Sequence, residues 1–179
     1  MIANSFTKSK QRTLNSDIIF TGIGLHKGKK ANVRITSDHP DSGITFIRND
    51  IRENNEIKAL WTNVSATTLS TTITNENNVS ISTIEHLMSA LSGMHVDNAK
   101  IYIDGPEVPI MDGSSKVFVE LIERAKLKEQ DCKRKIIKVL KEVKVHREDS
   151  FVCLSPNNQF SINFEIEFDS TIINKQECR

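Results

Sequence analysis

Ser82-Thr83-Ile84-Glu85-His86-Leu87-Met88-Ser89-Ala90-Leu91-Ser92 is the stretch on which the fold turns. Before it, the apolar residues alternate with the period of strands. Within it, Ile84, Leu87, Met88 and Leu91 fall at i, i+3, i+4 and i+7, one face of a helix. Gly93 follows and offers a stop. A helix here presents Glu85 and His86 side by side, a carboxylate and an imidazole suited to general-base and metal-ligand work. A second reading needs no chemistry. Ser82-Thr83-Ile84-Glu85 fits a capping box, with Glu85 bonding back to the cap residue and His86 an ordinary half-buried histidine. The two-histidine helical zinc signature is absent, because Ser89 and Ala90 stand one turn on from His86.

Upstream, Ala31, Val33 and Ile35 alternate with Asn32 and Arg34, the period of a half-buried strand. Asp38-His39-Pro40-Asp41-Ser42-Gly43 is a turn cluster, and 44–48 is a second strand. Residues 67–74 and 79–81 are β-prone, separated by the polar loop Asn75-Glu76-Asn77-Asn78. Downstream, Ala99, Ile101 and Ile103 alternate as another strand. Asp104-Gly105-Pro106 turns the chain, and Asp112-Gly113-Ser114 leads into a second helix striped by Val117, Phe118, Leu121, Ile122 and Ala125. These elements predict an α+β domain over 1–127, a small sheet in one layer and two helices in the other.

Composition breaks over 126–135, which contains almost nothing apolar, so 128–135 is expected to be a linker. Three strands are expected beyond it, over 136–179. Val139, Val143 and Val145 mark the first, and 151–154 is the second. In the third, Phe160, Ile162, Phe164, Ile166 and Phe168 alternate with polar residues, giving one apolar face that needs a cover. Burying five such side chains contributes roughly 8–15 kcal/mol, as much as the stability of a whole domain. No helical pattern follows to supply that cover. The segment therefore reads as the opening strands of a second, incomplete domain.

The 179 residues are 37% hydrophobic and 26% charged, the balance of a soluble globular protein. A net charge of +1 gives no field that favours nucleic acid. No apolar run approaches a membrane span, and residues 1–10 lack the apolar core of a signal peptide. Cys132, Cys153 and Cys178 form neither a zinc pattern nor a disulfide framework, so a reducing cytoplasm is the expected compartment.

Gly22-Ile23-Gly24-Leu25-His26-Lys27-Gly28 is either a phosphate-cradling loop or a tight turn between strands; it lacks the full phosphate-loop pattern, which favours the turn. Pro106-Glu107-Val108-Pro109-Ile110-Met111-Asp112-Gly113-Ser114 could place Glu107 or Asp112 in a site, but reads better as a rigid lead-in to the second helix. His39, His95 and His146 stand singly and are expected to face solvent.

Taken together, four segments resemble one family, the zinc-dependent UDP-3-O-acyl-N-acetylglucosamine deacetylases of lipid A synthesis. They are Gln11-Arg12-Thr13-Leu14, Thr21-Gly22-Ile23-Gly24-Leu25-His26-Lys27-Gly28-Lys29-Lys30, Ser82-Thr83-Ile84-Glu85-His86-Leu87 and Pro109-Ile110-Met111-Asp112-Gly113-Ser114. Their order and spacing agree with the family, and the match runs from about residue 11 to the C-terminus. The resemblance implies two similar domains, each a small sheet with two helices, and a site at their junction. It implies that His86 is the first Zn2+ ligand and Glu85 the base that activates zinc-bound water. It further implies that Leu69-Ser70-Thr71 lines the site and that His26 lies near the substrate pocket. The family draws a second histidine and an aspartate four residues later from a second-domain helix to complete the zinc site, and from the same domain a general-acid histidine. No His-x-x-x-Asp follows His146 in this sequence. The expectation is a chain inactive or nearly so alone, to be completed by a complementing C-terminal fragment. The alternative is a non-catalytic remnant or interaction module.

Overall fold

The computed structural model describes residues 9–178. Most of the N-terminal segment read above for a signal peptide, residues 1–8, lies outside them. The described chain divides into two compact units, 9–134 and 135–178.

The first unit is built on a five-stranded sheet. Its strands are β2 (Ile18–Ile23), β3 (Lys30–Ser37), β4 (Ile44–Arg48), β5 (Glu56–Lys58) and β9 (Ala99–Ile103), in the order β2-β3-β9-β4-β5. Only the β4–β9 pair is parallel. The alternation read from the sequence is obeyed. Val33 stands opposite Ile103, Ile35 opposite Ile101, and Phe46 opposite Ile101 from the other side. All are buried on one face, together with Phe20, Ala31, Ile57 and Ala99. Both helices cover that face and pack on each other: α1 (Glu85–Gly93) through Leu87, Ala90 and Leu91, and α2 (Lys116–Ala125) through Phe118, Ile122 and Ala125. Phe118 meets Phe20 edge to face at 5.6 Å. This is the expected α+β architecture in two layers.

A second, three-stranded sheet of β6 (Val64–Ala66), β7 (Thr72–Thr74) and β8 (Ser80–Ile81) leads directly into α1. Ile73 and Ile81 pair across it and are buried.

Residues 128–135, expected to be a linker, instead form most of β10 (Leu127–Lys133), antiparallel to β1 (Lys10–Leu14). The strand lacks an apolar stripe because its inward residues are polar. Gln130 is half-buried, donating to the Asp38 carbonyl and accepting from Asn98. Backbone pairing and polar side chains hold this ribbon, and neither leaves a hydrophobic period in the sequence.

The second unit consists of two hairpins, where three strands were expected. β11 (Val143–Arg147) pairs with β12 (Ser150–Leu154), and β13 (Phe164–Glu167) with β14 (Lys175–Cys178). The alternating stretch 160–168 is strand only from Phe164, and Val139 precedes β11. Phe151, Phe160, Phe164 and Phe168 are exposed among the described residues.

Candidate functional site

The start of α1 is not a capping box. Ser82 donates through its hydroxyl to the Pro106 carbonyl, and the cap residue is Ile84, without a side-chain cap. Glu85 turns the other way. Its Oε2 accepts the Thr71 N–H at 3.0 Å, and the Ile84 N–H points to the Thr71 carbonyl at 3.4 Å. The loop Leu69-Ser70-Thr71 is thereby fastened to the first turn of the helix, and Glu85 is a half-buried carboxylate in that turn. His86, half-buried beside it, follows on the same turn. The structure brings Thr71 of that loop onto Glu85, and His86 adjoins Glu85 in the chain.

Two residues around this point stand in the left-handed region without being glycine: Thr83 at φ 57° and Leu69 at φ 60°. For a β-branched residue this costs about 1–3 kcal/mol and persists only where the surroundings fix it. They do so for Thr83. Ser82 donates its N–H to the Pro106 carbonyl at 3.0 Å and accepts the Val108 N–H at 3.1 Å. The Thr83 hydroxyl donates to Glu107 Oε1 at 3.0 Å.

Glu107 is the residue whose importance the sequence understated. It is 3% exposed. It accepts the backbone N–H of His26 at 2.9 Å and of Lys27 at 2.8 Å, besides the Thr83 hydroxyl. Burial pushes its carboxyl up, but these three donors and the nearby His26 outweigh burial and hold it below the ordinary glutamate value. Through Glu107 the β2–β3 loop is joined to the residues just before Glu85. His26 enters this arrangement by its backbone, and its ring is exposed. Asp112 has a local role as expected, accepting the Ser114 N–H and hydroxyl at 2.9 Å before α2; those bonds lower its pKa.

The glycine spacing of the β2–β3 loop follows from close approach. A Cβ on Gly22 would lie 2.6 Å from Pro109 Cβ, and one on Gly24 2.7 Å from Glu107 Cδ. Gly24→Ala should therefore destabilise the first unit by about 1–3 kcal/mol, because Glu107 is buried and cannot swing away. Gly28→Ala meets nothing within 4 Å but sits at φ 61°, so only the left-handed penalty of about 1–2 kcal/mol applies. Urea denaturation of both variants, with amide exchange at His26 and Lys27, checks the difference. Only the Gly24 variant should release those two amides.

The helix end differs from the sequence expectation too. Gly93 is still helical, and the left-handed residue is His95 at φ 61°. The His95 N–H bonds the Ser92 carbonyl and the Val96 N–H bonds that of Leu91, the Schellman pattern. The side chains of His39, His95 and His146 are exposed, as expected. Two cavities, of about 230 and 340 Å³, are lined by other residues and by neither Glu85 nor His86.

Among the described residues no three His, Cys, Asp or Glu side chains gather as a metal site. A catalytic zinc takes three protein ligands and keeps a fourth position open. One imidazole does not meet that requirement, so the described residues do not fit zinc by themselves.

The fold defines a class, a two-layer α+β domain in which a carboxylate and an imidazole, Glu85 and His86, stand next to each other in the first turn of a helix. Within that class the chain belongs to the LpxC family, the UDP-3-O-acyl N-acetylglycosamine deacetylases, whose profile matches residues 11–179. A UDP-3-O-acyl-N-acetylglucosamine deacetylase of Syntrophus aciditrophicus is 45% identical over 166 residues, 93% of this chain and 52% of that protein. One of Pseudomonas entomophila is 43% identical over 167 residues, 93% of this chain and 55% of that protein. The chain thus spans about half the length of the curated relatives it matches. No helix among the described residues is long and apolar enough to cross a membrane.

Proposed function

We propose that this chain supplies the first half of a site that hydrolyses the N-acetyl group of UDP-3-O-acyl-N-acetylglucosamine, in lipid A biosynthesis. The observation that carries this reading is the fastening of Glu85 to the Thr71 N–H beside His86, in a chain of a deacetylase family. Glu85 is the base. Water adds to the acetamide carbonyl as its proton passes to the carboxylate. The C–N bond then breaks, acetate leaves, and the sugar nitrogen takes up a proton as the free amine. His86 is one ligand of a metal site that the described residues do not complete. Leu69, Ser70 and Thr71 flank the reacting group, and His26 borders the substrate. The named substrate of the relatives is the substrate proposed here. The cytoplasm is the compartment we infer. The three cysteines are free, in keeping with a reducing environment.

On this reading the chain alone turns over little or not at all, and a C-terminal fragment would restore activity. Zinc titration of the purified chain, with His86→Ala beside it, tests the point. Weak or absent binding in both is expected. Tight binding that is lost in His86→Ala would mean that residues of this chain complete the site, and would overturn the expectation of an inactive chain.

A second reading, a non-catalytic interaction module, is favoured by one observation. The hairpins of 143–178 leave Phe160 84% and Ile172 93% exposed, and such surface is what partner chains cover. Substrate titration separates the two, since a module of this kind has no affinity for the sugar nucleotide.

A further inference from the structure

We infer that Glu107 is a positioning residue for Glu85, acting through Thr83. This rests on the reading of Glu85 as the base. Glu107 belongs to neither α1 nor the 69–71 loop, and its hydrogen bonds go to His26, Lys27 and Thr83 and not to Glu85. It clasps three donors at once: two backbone N–H groups of the β2–β3 loop and the Thr83 hydroxyl. Only a carboxylate has acceptor capacity on both oxygens for that set. Its burial shields these bonds from competition with water, so each is worth more than it would be on the surface.

Thr83 is the lever. It is 2% exposed and sits at φ 57°, a conformation a threonine abandons unless it is held. Its backbone torsion sets the angle at which the chain enters α1, and Glu85 is two residues further on. If the Thr83 hydroxyl loses Glu107, the residue relaxes out of the left-handed region and the first turn of α1 rotates. The Glu85 carboxylate then leaves the Thr71 N–H. Gly24 fits the same scheme, since only a residue without a Cβ lets the loop close over Glu107.

The reporter is the Thr71 amide, whose acceptor is Glu85 and not Glu107. Hydrogen exchange is followed at Thr71, at His26 and Lys27, and at Ile101 in the centre of the sheet, in three variants of the whole chain. Thr83→Val keeps the shape and removes the link. Thr83→Ser keeps the hydroxyl. Glu107→Leu keeps the bulk and removes every acceptor. Thr83→Val and Glu107→Leu should each speed Thr71 exchange about tenfold, with Ile101 unchanged, while Thr83→Ser stays within about threefold of wild type. His26 and Lys27 should be freed by Glu107→Leu and not by Thr83→Val. A Thr71 amide that stays protected in Thr83→Val would overturn the proposal and leave Glu107 as a loop clasp only. Should Glu107→Leu unfold, seen as loss of protection at Ile101, the Thr83 pair decides. The readout needs no turnover, so it stands whether or not the chain hydrolyses an acetamide.

Discussion

Glu85→Gln should lower acetamide hydrolysis about a hundred- to ten-thousand-fold while leaving the fold intact, the range for loss of a positioned general base. The substitution is close to isosteric. The side-chain carbonyl of glutamine can still accept the Thr71 N–H, so the bond that fastens Leu69-Ser70-Thr71 to α1 survives. What disappears is the ability to take a proton from water. Glu85→Ala would remove both, and its loss of rate would mix chemistry with a freed loop. The measurement is acetate release from UDP-3-O-acyl-N-acetylglucosamine by this chain mixed with the C-terminal half of its Syntrophus relative. Wild type and Glu85→Gln are compared at equal thermal midpoints. A glutamine variant within about threefold of wild type would remove Glu85 from the chemistry. The pair would then be left with the capping reading, which the hydrogen bonds of Ser82 and Glu85 already contradict.

The layers of the first unit were legible because apolar period reports burial directly. Ala31, Val33 and Ile35, then Ile84, Leu87 and Leu91, then Ala99, Ile101 and Ile103, and finally Phe118, Ile122 and Ala125 are all buried where the pattern puts them. Polar engagement leaves no such trace. Ser82 and Glu85 have the spacing of a capping box, yet each bonds elsewhere, because the Pro106–Val108 segment and the 69–71 loop arrive from far along the chain. A threonine in the left-handed region is unreadable for the same reason, since only tertiary contacts hold it there. Glu107 looked like part of a helix lead-in because its three donors lie 24 to 81 residues away. The one available signal was the pair Gly22 and Gly24, which marks a close approach without naming the partner. Glu85 and His86 stood out as candidates from their place at the start of a helix, and the resemblance to a family favoured the site reading. Their own residues left the matter open.

The polar ribbon yields the largest expected change in stability. Asn98 is 1% exposed and ties three segments together. Its Nδ2 donates to Gln11 Oε1 at 2.8 Å and to Gln130 Oε1 at 2.7 Å, on β1 and β10. Its Oδ1 accepts the Gly43 N–H at 2.9 Å, in the turn before β4. Asn98→Ala removes all of these and leaves half-buried partners without them. Gln11 keeps the Asp41 N–H, but Gln130 Oε1 and the Gly43 N–H lose the partners shown here. Three lost bonds, to Gln11, Gln130 and Gly43, at about 0.5–1.5 kcal/mol each place the expected loss near 3 kcal/mol. The exposed Arg34–Asp17 pair, at 2.6 Å, has a shorter contact and should matter far less. Water screens it, and Arg34→Ala should cost about 0–1 kcal/mol. Urea denaturation of both variants makes the comparison, with exchange at the β10 amides showing where the loss falls. If β10 stays protected in Asn98→Ala and the midpoint moves no further than in Arg34→Ala, backbone pairing alone holds the ribbon. If β10 opens first, a strand with hardly an apolar residue is kept in place by one buried amide, and that is why a strand there read as a linker.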